Sequence, residues 1–308
     1  TRLIEVLQEC DALRATGNLV EERSRLNGLS ETAKALLAAA TGDGARHSLD
    51  AAERAANLQL ATSARRAAAV AQAQLGANLV AAGEDRRGRQ QLEAAVAALA
   101  TLPTEAVARL DALNVLAQLC VSAGEGHMAV ALAEAACDVA AAAEQARSHL
   151  RDGARLQGAH TRTLFLLAQA CAAVGRRDAS AAYCHATLQR MLSASPSPPA
   201  DPLNVPLWVR NAVFLADYYC GAQQHVLAEH CLAAAAAVLA ADDEAGGKAP
   251  THGGASPLAA LPAAPVDVSA EGYNERGGGG DQPLEASLAM GTARLWLSVL
   301  RCAASAAS

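Results

Sequence analysis

A pattern of small residues that occurs four times places the strongest limit on the fold. A leucine followed by a small residue is found at Leu75-Gly76, Leu116-Ala117, Leu167-Ala168 and Leu215-Ala216. In the first three copies a glycine follows the small residue by seven positions, and small residues follow again after twelve and nineteen positions. This spacing is typical of two helices that are joined by a tight turn and approach closely where both side chains are small.

Helix pairs with this spacing are the signature of tetratricopeptide repeats. We therefore predict an all-α fold, a tetratricopeptide-like right-handed α-solenoid of antiparallel helix pairs with a concave groove. The fourth copy has Gln223 where the others have the turn glycine, so we expect its turn to differ. The copies recur at longer intervals than the roughly 34 residues of an ideal repeat, which indicates longer helices or inserted loops.

Composition supports helices and suggests how the chain is divided. Hydrophobic residues make up 52% of the chain, but aromatics only 3%, and alanine, the best helix former, supplies much of the apolar content. We predict N-terminal helices over 1–62 and the four repeats over 63–241. A Gly-, Pro- and Ala-rich disordered insertion is predicted over 242–283, followed by a further helix over 284–308.

Several classes of function have little support in the sequence. The formal net charge is −6 and the only lysines are Lys34 and Lys248, which argues against a nucleic-acid partner. The eight cysteines include no CxxC pair, and we expect them to be free core residues. No apolar run reaches the roughly 20 residues of a membrane span.

Catalytic and metal chemistry are also not expected. Adjacent helical residues point about 100° apart, so neither Cys184-His185 nor His230-Cys231 easily presents two ligands to one zinc ion. No serine or cysteine lies in a nucleophile motif. We predict a non-enzymatic protein with no cofactor, no metal and no small-molecule substrate.

The repeat pattern also indicates which side chains face the groove. Groove positions lie on the first helix of each repeat, at offsets near −6, −3 and +1 from the small residue, and these offsets share one helix face. The candidate partner-binding residues are Asp111, Asn114, Gln118, Arg162, Phe165, Gln169, Arg210 and Asp217. Two interpretations remain open: a surface for capturing a peptide or helix, or ordinary solvated helix faces. Asp217 and the scarcity of lysine argue against a basic clamp for a carboxylate.

Short segments in the third and fourth copies carry a family resemblance. They are Leu167-Ala168-Gln169, Tyr183-Cys184-His185, Trp208 to Ala212 and His230-Cys231-Leu232. The region resembles the kinesin-binding protein family, whose members are tetratricopeptide-like regulators of kinesin motors. Tyr273 to Gly277 and the helix around Trp296 are weaker matches. Members of the family are longer, so the resemblance implies that this chain corresponds to the N-terminal half.

The resemblance implies a partner and a mode of action. It implies that the groove grips a kinesin motor domain near its microtubule-binding helix and excludes the microtubule, with Gln169 as the first groove residue to carry over. The expected location is cytoplasmic and cytoskeleton-associated, with the cilium included. The alternative is a structural scaffold in a microtubule-based assembly such as a ciliary axoneme.

Overall fold

The computed structural model describes residues 2–42, 51–146, 153–193, 205–244 and 288–297. Within these ranges the regular structure is entirely helical, which confirms the predicted all-α class. The helices are α1 (Arg2–Ala15), α2 (Leu19–Thr41), α3 (Ala51–Ala81), α4 (Asp85–Leu99), α5 (Ala106–Ser122), α6 (Gly126–Gln145), α7 (Gly153–Ala173), α8 (Arg177–Ser193), α9 (Val205–Gly221), α10 (His225–Glu244) and α11 (288–297). A short 3₁₀ turn, Pro103–Glu105, precedes α5. The predicted insertion over 242–283 lies almost wholly outside the described residues.

Helices that follow one another in the chain pack against one another. The chain divides into two compact units, 1–160 and 161–308. In the first unit each of the helices α1 to α5 contacts the next, and α3 also contacts α1 and α5. In the second unit α9 packs against both α8 and α10. Packing between successive helices is the arrangement of an α-solenoid.

The hairpin turns share one backbone geometry. Gly17, Gly83, Gly124 and Gly175 all have φ between 72° and 80°, and Gln223 has φ 60°. After each of them the next backbone N–H donates to the carbonyl five residues earlier, at 2.8–3.0 Å. This bond satisfies a carbonyl at the end of the first helix. The prediction that the turn at Gln223 differs is therefore wrong, because glutamine occupies the left-handed conformation that the glycines occupy elsewhere.

The turn geometry reveals a hairpin that the sequence pattern missed. Gly17 ends α1 with the same turn, and the residue seven positions before it is Cys10, which is fully buried. Cys10 follows a glutamate instead of a leucine, so the leucine–small pattern does not detect this copy. The repeat geometry therefore extends into the segment that we assigned only to N-terminal helices.

The position of close approach in this first hairpin is occupied by a charged residue. Glu22 lies twelve residues after Cys10 and is fully buried. The Arg14 guanidinium donates to one of its carboxylate oxygens, and Asn78 Nδ2 donates to the other at 2.8 Å. Arg23 in turn donates to Asn78 Oδ1 at 3.0 Å. These bonds join α1, α2 and α3, and they satisfy a carboxylate that would be costly to bury alone.

Glycines allow α3 and α4 to come together. A Cβ added to Gly76 would lie 2.6 Å from Leu92 Cγ and 3.1 Å from the Leu92 backbone nitrogen. A Cβ on Gly88 would lie 2.6 Å from Val80 Cγ2 and 3.0 Å from the Gly76 carbonyl oxygen. Gly76 and Gly88 are the first and second small positions of the repeat pattern, so both glycines are required by the packing.

Trp208 is the largest fully buried side chain of the second unit. Its indole N–H donates to the Leu188 carbonyl at 3.2 Å. Nearby, His185 Nδ1 lies 3.1 Å from the Tyr219 hydroxyl, and both residues are buried. Burial, together with the proximity of His230, lowers the pKa of His185. This core is therefore built for a neutral histidine.

The described cysteines are free. Five of the seven described cysteines are buried and none forms a disulfide; Cys302 lies outside the described residues.

Among the helices of the described ranges, α6 is long and apolar enough to cross a bilayer, which differs from the prediction that no apolar run is long enough. Core helices pass the same test, and α6 buries Ala129, Ala133 and Ala136 completely.

We expect the substitution Gln223→Gly to stabilise the second unit. A left-handed conformation costs an L-residue roughly 1–2 kcal/mol, and glycine avoids this cost but loses more entropy on folding. The free energy of unfolding should rise by about 0.5–1 kcal/mol in urea titrations. Gly175→Gln places the same side chain in the equivalent turn of α7 and α8 and should lower it by a similar amount. Destabilisation by Gln223→Gly would contradict this account of the turn.

We also expect the second unit to lose stability in mild acid. Because the pKa of His185 is lower when folded, the unfolded chain binds the proton more readily. The stabilisation is complete above the ordinary pKa of 6.5 and is lost as the pH falls from there toward the folded pKa. Urea unfolding at several pH values between 5 and 7.5 should show this loss. His185→Gln should flatten the profile, whereas the control His127→Gln, at an exposed histidine, should leave the acid loss unchanged.

Candidate functional site

The candidate partner-binding residues all lie on the first helices of hairpins. Asp111, Asn114 and Gln118 belong to α5, in the first unit. Arg162, Phe165 and Gln169 on α7, and Arg210 and Asp217 on α9, belong to the second unit. The two groups are described separately below.

In the first unit the candidate residue Asp111 belongs to a cluster of polar side chains from four helices. Its carboxylate lies 3.5 Å from Arg155 Nη2, and Arg155 Nη1 lies 4.0 Å from Asp11. Gln74 Nε2 donates to Asp11 at 3.0 Å. The cluster therefore links α1, α3, α5 and α7. The side chains of Asp11, Asp111 and Arg155 remain roughly half exposed, so water and salt screen their attraction.

Asn114 is placed differently from the prediction. It is fully buried, and its Nδ2 donates to the Ala159 carbonyl at 3.0 Å. The side chain thus joins α5 to the start of α7 and has no surface to offer a partner. The helical period alone assigns Asn114 to the groove, but α7 packs against that face of α5 and covers it. Gln118, one turn later, is half-buried.

On α7 the candidate residues are accessible to different degrees. Arg162 is exposed, and Phe165 keeps 40% of its surface accessible. Gln169 is half-buried, and its Oε1 is enclosed without a hydrogen-bond partner. Arg162 and Phe165 are one helical turn apart and share a face. This face can make both apolar and charge-assisted contacts.

On α9 one candidate residue is exposed and the other is paired. Arg210 is exposed, whereas Asp217 Oδ1 forms an ion pair with Arg294 Nη1 of α11 at 3.1 Å. Gly291 of α11 packs beside Val213, where an added Cβ would lie 3.1 Å from Val213 Cγ1. Asp217 therefore contributes to the contact between α9 and α11, and its negative charge is offset.

Two residues that the sequence analysis did not select complete this face. Phe214 lies four positions after Arg210 and is 37% exposed. Arg294 neutralises Asp217 from a helix distant in the chain. Phe214 could have been found, because Phe165 follows Arg162 by three positions in the preceding hairpin. No local signal pairs Arg294 with Asp217.

The described residues contain no arrangement suited to a metal ion. No group of three or more histidine, cysteine or acidic side chains within these ranges could hold one. His185, His230 and Cys231 do border a small cavity of about 20 Å³, together with Trp208 and Leu215. Burial raises the pKa of the Cys231 thiol to about 12, so it stays protonated and is a poor nucleophile and metal ligand at neutral pH.

Comparison with known proteins supports a relationship to KIF-binding proteins over part of the chain. The chain is 37% identical over 84 residues to the KIF-binding protein of Danio rerio. It is 37% identical over 81 residues to that of Xenopus tropicalis and 35% identical over 85 residues to that of Gallus gallus. The matches cover 26–28% of this chain and 12–13% of the relatives. No protein-family model matches.

The corrected role of Asn114 gives a stability prediction. Asn114→Ala removes a fully buried hydrogen bond and should lower the free energy of unfolding of the first unit by about 1–3 kcal/mol. Gln118→Ala, a matched amide on the same helix, should change it by less than about 0.5 kcal/mol. Chemical denaturation of both variants measures the difference. Equal effects of the two substitutions would contradict the buried linking role of Asn114.

Proposed function

We propose that this chain is a non-enzymatic binding protein that holds a kinesin motor domain and regulates or blocks its attachment to microtubules. The observation that carries the proposal is the 37% identity over 84 residues to a protein named for binding KIF, a kinesin. Because the match spans only 12% of that relative, the partner and the mode of action are proposed for this chain.

The second unit offers a surface suited to holding a protein. Interface residues that contribute most of the binding energy are often aromatic residues and arginines. Phe165 and Phe214 are both partly exposed, and Arg162 and Arg210 are exposed on the same helices. Gln169, on the same helix as Phe165, is half-buried. These features favour a binding surface over ordinary solvated helix faces.

The proposed mode is capture of a helix of the motor by the first helices of the repeats. An apolar centre with polar contacts around it is the usual form of helix-in-groove recognition. If the bound helix is the one that meets the microtubule, binding and microtubule attachment exclude each other. We propose a cytoplasmic, cytoskeleton-associated location, the cilium included, for this activity.

A competition experiment tests this function. Motor domains from a panel of kinesins are sedimented with microtubules in the presence of the purified chain. We expect the wild type to keep at least one motor in the supernatant. Phe165→Ala combined with Gln169→Ala should raise the concentration required by at least tenfold, because both contacts lie on the proposed surface. Val226→Ala, which removes an exposed apolar side chain from α10, is the matched control and should act like the wild type.

The outcomes separate the proposal from its alternative. Displacement of no motor from the panel would contradict regulation of kinesins. Retention of the chain at fixed stoichiometry on salt-washed microtubule structures would instead support a structural scaffold, the alternative considered above.

A further inference from the structure

We propose that Arg162–Phe165 and Arg210–Phe214 form a repeated pair of contacts for an acidic amphipathic helix of a protein partner. The inference rests on the proposed function, because it names the chemistry of the partner at the same surface. The similarity to KIF-binding proteins does not by itself imply this chemistry, in which the bound helix carries carboxylates beside its apolar residues.

The phenylalanines give the first reason. The chain has only two, and each is among its exposed large apolar residues, at 40% and 37% accessibility. They lie on α7 and α9, the first helices of consecutive hairpins. Aromatics are rare in this chain, and of its two tryptophans Trp208 is buried in the core, whereas Trp296 of α11 is 63% exposed. The use of both phenylalanines at the surface of equivalent helices points to contact with another molecule.

The arginines give the second reason. Arg162 precedes Phe165 by three positions, and Arg210 precedes Phe214 by four, so each arginine lies on the same helix face as its phenylalanine. Both arginines are exposed, and neither forms an ion pair with a described residue. Each guanidinium is therefore available to bind a carboxylate in the two-bond geometry that arginine favours.

The two helices that carry these pairs have no unpaired acidic side chain. Helix α7 contains no aspartate or glutamate, and the acidic residue of α9, Asp217, is paired with Arg294 at 3.1 Å. The objection that Asp217 would repel a carboxylate is thereby removed. Charge complementarity selects an acidic occupant and disfavours a basic one.

The spacing of the pairs suggests the pattern of the ligand. First helices of successive hairpins are neighbours elsewhere in the chain, as α3 with α5 and α5 with α7. Packed helices lie roughly 8–10 Å apart, and two turns of a helix rise roughly 11 Å. A partner helix that crosses α7 and α9 therefore meets both arginines with acidic residues seven positions apart. Apolar residues between them meet the phenylalanines.

Synthetic helices test the inference directly. The probe is a fluorescent helical peptide of about 20 residues, long enough to form helix alone, with two glutamates seven positions apart and leucines between them. A second peptide has lysines in place of the glutamates. Fluorescence anisotropy with the full chain should show at least tenfold tighter binding of the glutamate peptide. The preference should weaken as salt is added, because the charges lie at the surface.

Variants assign the preference to the proposed residues. Arg162→Glu combined with Arg210→Glu should abolish the preference for the glutamate peptide, whereas Arg162→Lys combined with Arg210→Lys should retain most of it. Phe165→Ala and Phe214→Ala should each weaken binding of the glutamate peptide several-fold. Arg177→Glu makes the same charge change at an exposed site on α8 and should have no effect. Circular dichroism checks that each variant is folded.

Three results would overturn the inference: no binding of the glutamate peptide, equal binding of both peptides, or a preference that survives Arg162→Glu with Arg210→Glu. Its failure can be told apart from failure of the proposed function. If a kinesin motor binds wild type and the arginine variants equally, the function stands and the acidic requirement falls. If the glutamate peptide binds as expected but no motor of the panel does, the acidic requirement stands and kinesin binding falls.

Discussion

Close approach of paired helices is the constraint on which the rest of this structure depends. At Gly76, a single added carbon atom would collide with the side chain and backbone of Leu92, and at Gly88 with Val80 and the Gly76 carbonyl. The equivalent positions of the hairpin that α5 and α6 form, Ala117 and Ala129, are fully buried. Small side chains bring the backbones together, but each buries little apolar surface, so many such contacts are needed.

Hydrogen bonds and ion pairs therefore hold helices together at positions where other proteins use large apolar residues. Glu22 occupies a position of close approach in the first hairpin and is satisfied by Arg14 and Asn78. Asn114 joins α5 to α7, and Asp217 joins α9 to α11. The contacts of Asn114 and Asp217 link helices that are not adjacent in sequence. The inner faces of the first helices are thus partly used by the protein itself, which reduces the surface left for a partner.

The exposed candidate residues on α7 and α9, in the second unit, are aromatic or positively charged. Phe165, Phe214, Arg162 and Arg210 are left exposed, whereas the acidic Asp217 is neutralised. The fold does not define a function by itself, because helical repeats bind many unrelated partners. The proposal of a kinesin partner therefore rests on similarity to KIF-binding proteins, and the chemistry of these side chains describes how such a partner could be held.

The sequence by itself determined the helical class, the hairpins and their turn positions, because local propensity and the spacing of small residues act over short distances. It also located the first helices that carry Phe165 and Arg162. It missed the hairpin at Cys10 and misjudged Gln223, because tertiary packing can impose a left-handed turn on a residue that does not favour it. Only the tertiary structure decided that Asn114 is buried and that Asp217 is paired. Both outcomes depend on which distant helix packs against the face, and helical periodicity contains no information about that neighbour.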